Sequence, residues 1–196
     1  MCIRESLKLD NDKLSIYADG VRNSVGFDWH PETKEMYFTD NGRDWMGDDI
    51  PPCELNRVVN AGDHFGFPFI HGKNIPDTGY EAPKDFVFSQ PVWEFQAHTA
   101  PLGIKFYDGE SFPEYYKNGA FVAQHGSWNR SEKVGYRLLF MKMEEGDVVS
   151  ADVFIDGWMS NETSWGRPVT PLILKDGSML ISDDQADSII RVTYNG

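Results

Sequence analysis

The stretch Val25–Asp40, VGFDWHPETKEMYFTD, decides the fold. It reads as a short strand, a turn that contains Pro31, and a second strand that ends in polar residues. The same layout returns in Leu102–His125, with a longer insertion, and in Leu172–Asp183, with an Asp-Gly turn. A further strand pattern follows each unit, as in Ser188–Tyr194, where apolar and polar residues alternate. This repetition, with no convincing amphipathic helix between the units, predicts four-stranded β-propeller blades.

The repeats predict an all-β chain in which residues 1–196 form a single partial β-propeller domain of about three to four blades. Leu14–Tyr17 reads as the last strand of an earlier unit. A propeller ring closes with about four to eight blades. Three clear units would therefore leave two apolar blade faces open. We expect either a homodimer that completes the ring or a missing N-terminal half.

The composition excludes several classes of function. A net charge of −13 and a pI of about 4.7 oppose binding to nucleic acid, because phosphates would be repelled. No run of about 20 apolar residues predicts a membrane span. The first ten residues, MCIRESLKLD, lack the apolar segment of a signal peptide. The 2 cysteines predict no disulfide framework.

Polar loops lie next to the predicted strands, at positions that a propeller would gather on one face. The loop TDNGRDWMGDD, residues 39–49, contains more acids and glycines than a hairpin turn requires. Arginines recur in these loops, and arginine binds carboxylates through paired hydrogen bonds. They are Arg22, Arg43, Arg130 and Arg167. The pattern predicts either a ligand with several carboxylates or local Arg–Asp pairs.

The same loops contain candidate metal and acid–base groups. Glycine-rich turns expose backbone carbonyls, which suit calcium, although residues 39–49 do not have EF-hand spacing. His98 and His125 are candidate bases or ligands, and hydrogen-bonded loop histidines are the alternative interpretation. The sequence has no zinc-protease helix, nucleotide-binding glycine loop or Gly-x-Ser-x-Gly elbow.

Several motifs in a fixed order resemble the sorbosone/glucose dehydrogenase family. They are GVRNSVGFDW (20–29), HFGFPF (64–69), APLGIKFYDG (100–109), HGSWNR (125–130), WGRP (165–168) and DGSMLISDD (176–184). The family consists of soluble sugar dehydrogenases that depend on pyrroloquinoline quinone (PQQ), and the likeness runs over almost the whole chain. The resemblance implies a six-bladed propeller, oxidation of the C1 hydroxyl of an aldose or a related sugar, and a periplasmic or secreted location.

The resemblance also implies roles for individual residues. The backbone carbonyls of Gly42 and Arg43 would coordinate Ca²⁺, and Asn41 would lie beside the quinone. The other implied cofactor contacts are Arg22, Asn23, His98, Arg130, Arg167 and Asp183. Calcium would act as a Lewis acid on the quinone, which accepts hydride from the sugar.

The sequence departs from the family in two places. The family's catalytic base is a histidine in the first half of the propeller, and no histidine here has the corresponding setting. The catalytic residue is therefore unknown, and we expect a C-terminal fragment that lacks normal turnover alone. Cys53 also stands where an acid is expected.

Two other functions stay open. The first is a calcium-dependent, lactonase-type propeller hydrolase, which would need carboxylates that converge on a metal. The candidates are Asp40, Asp44, Asp183 and Asp184. The second is a non-catalytic propeller module.

Overall fold

The computed structural model describes residues 2–196, which form small, mostly antiparallel sheets in the order of propeller blades, with one parallel pair between Lys13–Val21 and Asp63–His64. The chain begins with a leading hairpin, defined as β1 (Cys2–Lys8) and β2 (Lys13–Val21). Strand β2 contains the segment Leu14–Tyr17, which the sequence predicts as the last strand of an earlier unit. The prediction of β-propeller blades, part of a six-bladed ring, is confirmed.

The first blade has four strands. They are β3 (Phe27–Trp29), β4 (Met36–Asp40), β5 (Cys53–Val58) and, after an excursion, a fourth strand at Trp93–Phe95. The excursion contains the two-residue strands β6 (Asp63–His64), β7 (Ile70–His71) and β8 (Ile75–Pro76), so the fourth strand is β9. All five residues of β4 are buried, because neighbouring sheets cover both faces of the blade.

The second blade also has four strands. They are β10 (Pro101–Phe106), β11 (Ala120–Gln124), β12 (Arg137–Glu144) and β13 (Asp147–Ile155). A single 3-10 turn, Glu114–Tyr116, lies in the insertion between β10 and β11. The further strand pattern after the second unit is predicted at Gly135–Met143 and overlaps β12, but the long partner strand β13 is not predicted.

The third blade has three strands within the described residues. A hairpin of β14 (Met159–Ser160) and β15 (Thr163–Ser164) precedes β16 (Pro168–Ile173), β17 (Met179–Asp183) and β18 (Ser188–Val192). The Asp-Gly turn joins β16 to β17 with Gly177 at φ +79°, a conformation that glycine adopts without a steric cost. In β18 burial alternates along the strand, as expected when one face of a sheet packs on a neighbour.

Three apolar cores hold adjacent sheets together. Phe38 and Phe65 belong to the core between the leading hairpin and the first blade. Tyr37 and Phe106 contact each other edge to face in the core between the first and second blades. Trp158 is fully buried in the core between the second and third blades. The first strands β3, β10 and β16 are neighbours in turn, which places them nearest the hub.

Two boundaries of the arc lack a neighbour among residues 2–196. The outer edge of β1 and the outer edge of β18 pair with no other described strand. Between the leading hairpin and β3 lies an apolar groove of about 400 Å³, whose walls include the half-exposed side chains of Val25, Phe27 and Trp29. In the described part of the chain, no helix is long and apolar enough to cross a membrane.

Candidate functional site

A cleft of about 150 Å³ opens where the loops around β3, β4 and β10 meet near the hub. Five residues implied by the resemblance line it together: Arg22, Asn23, Asn41, Gly42 and His98. The other lining residues are Asp44, Cys53, Ala100, Leu102 and Trp128. Segments that are distant in the sequence therefore contribute to one concave surface.

A buried carboxyl group at the end of β4 positions the arginine of this cleft. Asp40 accepts hydrogen bonds from the backbone N–H groups of Arg22, at 2.9 Å, and Asn23, at 2.5 Å. Burial raises the pKa of Asp40 to about 6, and these two hydrogen bonds oppose the shift. The carboxyl group therefore fixes the backbone that leads into β3.

The guanidinium of Arg22 lies at the cleft wall. It donates to the carbonyl oxygen of Asn41 at 3.0 Å and forms an ion pair with Asp44 at 3.0 Å. Because this pair is partly exposed, its energy is small. A carboxylate of a ligand in the cleft would share Arg22 with Asp44.

Gly42 occupies a position that no larger residue can fill. A Cβ atom there would lie 2.5 Å from the carbonyl oxygen of Pro52 and 3.0 Å from that of Pro51. The backbone N–H of Gly42 points at the sulfur of Cys53, at 3.4 Å. Next to it, the Oδ1 atom of Asn41 is buried and has no hydrogen-bond partner in the described chain. Asn41 lines the cleft, and an amide oxygen without a hydrogen-bond partner is a ligand type that calcium prefers.

The side chain of Arg43 is anchored away from the cleft. It forms an ion pair with Asp77, which also bonds to Nε2 of His71 at 2.8 Å. Burial alone would raise the pKa of Asp77, but hydrogen bonds from Arg43 and His71 lower it to about 2. Arg43 does not line the cleft. Its implied role, through the backbone carbonyl, stays a prediction.

The loop that follows Gly42 is clamped onto the second blade. His98 donates from Nε2 to the carbonyl oxygen of Gly47 at 2.7 Å. Arg130 donates to the carbonyl oxygen of Asp48 and forms an ion pair with Asp49 at 2.9 Å. The guanidinium of Arg130 is thus engaged by this loop, and Arg130 is not among the lining residues of the cleft.

Arg167 and Asp183 form a second clamp in the third blade. Oδ1 of Asp183 accepts the backbone N–H groups of Arg167, Gln185 and Ala186 at 2.8–3.0 Å. The guanidinium of Arg167 donates to the carbonyl oxygens of His125 and Gly126, and it lies 5.3 Å from the ring centre of Tyr136. Neither Arg167 nor Asp183 lines the cleft.

The sequence reasoning missed two features of the site. Trp128 lies in the quoted motif HGSWNR, of which only His125 and Arg130 were singled out, yet its exposed indole lines the cleft. Glu54 is paired across the sheet with Asp40 and is also buried. Desolvation, followed by the charge of Asp40, raises the pKa of Glu54 to about 7. The position of Glu54 between Cys53 and Leu55 in the strand β5 was the sequence signal that could have indicated its burial.

The sequence of the chain matches a model of the TrAA12-like family over residues 55–194. The chain belongs to the TrAA12-like family. A protein of Borreliella burgdorferi described as uncharacterized is 45% identical over 194 residues, which cover 96% of this chain and 51% of that protein. The chain thus spans about half the length of this relative.

Three of the similar solved structures are sugar-related enzymes. The calcium structure of Trichoderma reesei family AA12 has a TM-score of 0.77 at 21% identity, covering 90% of this chain and 53% of that one. The holo PQQ domain of pyranose dehydrogenase from Coprinopsis cinerea has a TM-score of 0.63 at 17% identity, covering 92% and 56%. The apo aldose sugar dehydrogenase of Escherichia coli has a TM-score of 0.63 at 18% identity, covering 90% and 46%. At these identities the likeness shows the fold.

Proposed function

We propose that this chain is the cofactor-binding part of a PQQ-dependent sugar dehydrogenase that oxidises the C1 hydroxyl of an aldose or a related sugar. The observation that carries the proposal is the cleft, where Arg22, Asn23, Asn41, Gly42 and His98 come together. Family membership and the similar solved structures support it, since those structures include a PQQ domain and an aldose sugar dehydrogenase.

The residues of the cleft fit a calcium ion with a quinone that carries carboxylates. Asn41 offers its unpartnered Oδ1 atom, and Gly42 lines the cleft without a side chain. In this proposal the carbonyl oxygens of Gly42 and Arg43 complete the set of calcium ligands. Pockets that enclose a small-molecule ligand usually measure about 300–1,000 Å³. A cleft of about 150 Å³ would cover only part of PQQ.

When bound, the PQQ–calcium pair would supply an acceptor for the hydride that leaves C1 of the sugar. The chain's own residues bind and orient. Arg22 would hold a ligand carboxylate, and Asp40 keeps the backbone of Arg22 and Asn23 in place. His98 lines the cleft, and in a neutral ring the donation from Nε2 to Gly47 makes its Nδ1 atom an acceptor.

No general base is assigned, so we propose that the proton of the sugar hydroxyl goes to a group outside this chain. We therefore expect no robust turnover by the chain alone. We also propose a periplasmic or secreted location for the parent enzyme.

The test is a titration of the purified chain with PQQ, with and without CaCl₂, monitored by calorimetry and by the absorbance of the quinone. We expect calcium-dependent binding that Arg22→Ala weakens. Arg191→Ala is the matched control, because that arginine forms an exposed ion pair with Asp176 at 2.6 Å. Binding that does not depend on calcium or on Arg22 would refute the proposal.

The lactonase alternative has less support. Among residues 2–196, no three His, Cys, Asp or Glu side chains are grouped so that they could hold a metal ion. Asp40 is engaged by backbone N–H groups, and Asp184 bonds to His125 at 2.9 Å. Hydrolysis of a lactone by the chain without PQQ would favour this alternative. If the chain neither hydrolyses a lactone nor binds PQQ, the non-catalytic module is the function that stays open.

We further propose that the two open boundaries are covered by a complementary half-propeller rather than by a second copy of this chain. The sheet of the leading hairpin has three strands, β1, β2 and β6, and the third blade also has three, so two copies joined at these edges would form a six-stranded sheet at each junction. The other two blades have four strands. A partner that adds one strand to β18 would give the third blade four strands, and strands that it adds to β1 would fill the groove beside Trp29.

The test is co-expression with the half of the Borreliella burgdorferi relative that this chain does not match. We expect a 1:1 complex that Trp29→Glu prevents, with the exposed substitution Tyr80→Glu as a control outside the groove. A symmetric dimer of this chain in light scattering, unaffected by the added half, would overturn this proposal in favour of the homodimer.

A further inference from the structure

Two exposed tryptophans form a corner at the cleft. The indole of Trp128 lines the cleft and is 65% exposed. Trp45 is 79% exposed, and its ring centre lies 5.6 Å from that of Trp128 at an interplanar angle of 78°. Each indole therefore keeps an uncovered face. Contiguous exposed apolar surface, unlike a single exposed residue, often marks a binding site.

The backbone presents Trp45 at a conformational cost. Its φ angle is +66°, in the left-handed region that a bulky residue rarely adopts. Strained residues of this kind persist where the surrounding structure determines them, and they cluster at ligand sites. The restraint comes from both sides of the residue. Asp44 is paired with Arg22, and the carbonyl oxygen of Gly47 accepts a hydrogen bond from His98.

We propose that Trp45 and Trp128 are the stacking platform for a neutral pyranose, an assignment that rests on the proposed sugar dehydrogenase function. One side of a pyranose ring is largely C–H surface, which packs on an aromatic face while the ring hydroxyls stay solvated. Trp128 belongs to the cleft and Trp45 extends away from it, so the corner leads toward the cofactor position.

The charges around the corner select against acidic sugars. Asp44 lines the cleft, and Asp48 and Asp49 lie on the same loop as Trp45. The carboxylate of Asp49 is 83% exposed, Arg130 is paired with it, and the proposed function assigns Arg22 to a carboxylate of the cofactor. Carboxylates accept hydrogen bonds from sugar hydroxyls, but they repel the carboxylate of a uronic acid. A neutral hexose is therefore the expected ligand.

The experiment measures sugar binding rather than turnover. Saturation-transfer NMR titrations of D-glucose and D-glucuronate would be recorded on the wild type and on Trp45→Ala, Trp128→Ala and Trp128→Phe. Trp29→Ala is the matched control, since that tryptophan is 50% exposed but lies in the groove beside the leading hairpin. PQQ with calcium would be titrated separately into every variant.

We expect Trp128→Ala to weaken glucose binding by about tenfold or more, and Trp128→Phe to stay within about threefold of the wild type. Trp45→Ala should weaken glucose binding less than Trp128→Ala, Trp29→Ala should leave it unchanged, and glucuronate should bind at least about tenfold more weakly than glucose.

The stacking platform would be overturned if the wild type binds no glucose, or if Trp45→Ala and Trp128→Ala bind glucose as the wild type does. If PQQ with calcium binds in those cases, the proposed function survives. If glucose binds through the tryptophans and PQQ does not bind, the proposed function fails and the platform stands.

Discussion

Two blades use the same local device and put it to different uses. In the first blade, Asp40 ends β4 and holds the backbone of Arg22. In the third blade, Asp183 ends β17 and holds the backbone of Arg167. The guanidinium of Arg22 lies at a cleft beside Asp44, whereas that of Arg167 donates hydrogen bonds to carbonyl oxygens of the second blade. Equal backbone clamps therefore do not imply equal ligand contacts.

The difference originates in what each arginine meets. Arg167 reaches the turn at His125 and Gly126 and the ring of Tyr136, so its donors are satisfied within the protein. The carboxylate that Arg22 contacts, Asp44, is partly solvated, so the guanidinium could also bind a ligand. The two aspartates also differ: Asp40 bonds with both oxygens, while all three bonds to Asp183 go to Oδ1.

The largest expected effect is a loss of stability in the third blade. Asp183→Ala leaves three backbone N–H groups without their acceptor, which should lower the free energy of unfolding by about 3 kcal/mol. Asp40→Ala should cost less at pH 8, because it also removes a carboxyl group whose ionisation burial opposes. Urea denaturation measures both, with the exposed Asp184→Ala as a control. If Asp40→Ala lowers the free energy of unfolding as much as Asp183→Ala or more, the stated difference between the two aspartates is wrong.

The next effect is a pH dependence that belongs to the first blade. Burial raises the pKa of Glu54 from 4.5 to about 7, so the folded state holds this proton more tightly than the unfolded state. Stability from this group is present below about pH 4.5 and is lost as pH rises through about 7, by an amount on the order of 3 kcal/mol.

Glu54→Gln should flatten that dependence. The amide of Asn56 now donates to Glu54 at 2.9 Å, and its own oxygen has no partner in the described chain. A reversed Asn56 amide could therefore accept a hydrogen bond from the NH₂ group of the substituted side chain. Denaturation between pH 4 and 8 measures the slope, with the exposed Glu110→Gln as a control. An unchanged slope in Glu54→Gln would show that other groups cause it.

A smaller, local effect separates the two clamps. Asp40→Asn places an NH₂ group against a backbone N–H, whereas Asp183→Asn can keep Oδ1 as the acceptor of all three bonds. We expect amide exchange at Arg22 and Asn23 to accelerate by about tenfold in Asp40→Asn. The amides that Asp183 holds should keep their protection in Asp183→Asn. Hydrogen-exchange mass spectrometry measures these rates. An equal change of amide exchange in Asp40→Asn and Asp183→Asn would contradict the difference between the two clamps.

The smallest effect concerns the ligand. Arg22→Ala should weaken calcium-dependent PQQ binding by about tenfold, or about 1.4 kcal/mol. Arg167→Ala should change it by less than about threefold and should instead lower stability, since its guanidinium contacts protein carbonyls. Calorimetry and denaturation of both variants test this. Equal losses of affinity would restore Arg167 to the cofactor contacts that the resemblance implies.

Much of the fold follows from local sequence patterns. The repeats at Val25–Asp40 and Leu172–Asp183 predict strands, turns and blades, because side-chain alternation and glycine turns act over a few residues. The strands β6 to β8 and β13 to β15 were not predicted, since short or half-exposed strands depend on their sheet partners. Five of the implied site residues share a cleft, but Arg43, Arg130, Arg167 and Asp183 do not line it.

By itself, the sequence determined the blade architecture and the polar loops near the hub, because hydrogen-bonding propensity and hydrophobic periodicity are properties of neighbouring residues. Only the tertiary structure decided which arginine lies at a cleft, which acids are buried and which tryptophans form a corner. Those outcomes depend on groups that lie far apart in the chain, such as Asp40 with Arg22 or Trp45 with Trp128. The energy of a charge or an indole is set by what surrounds it in space.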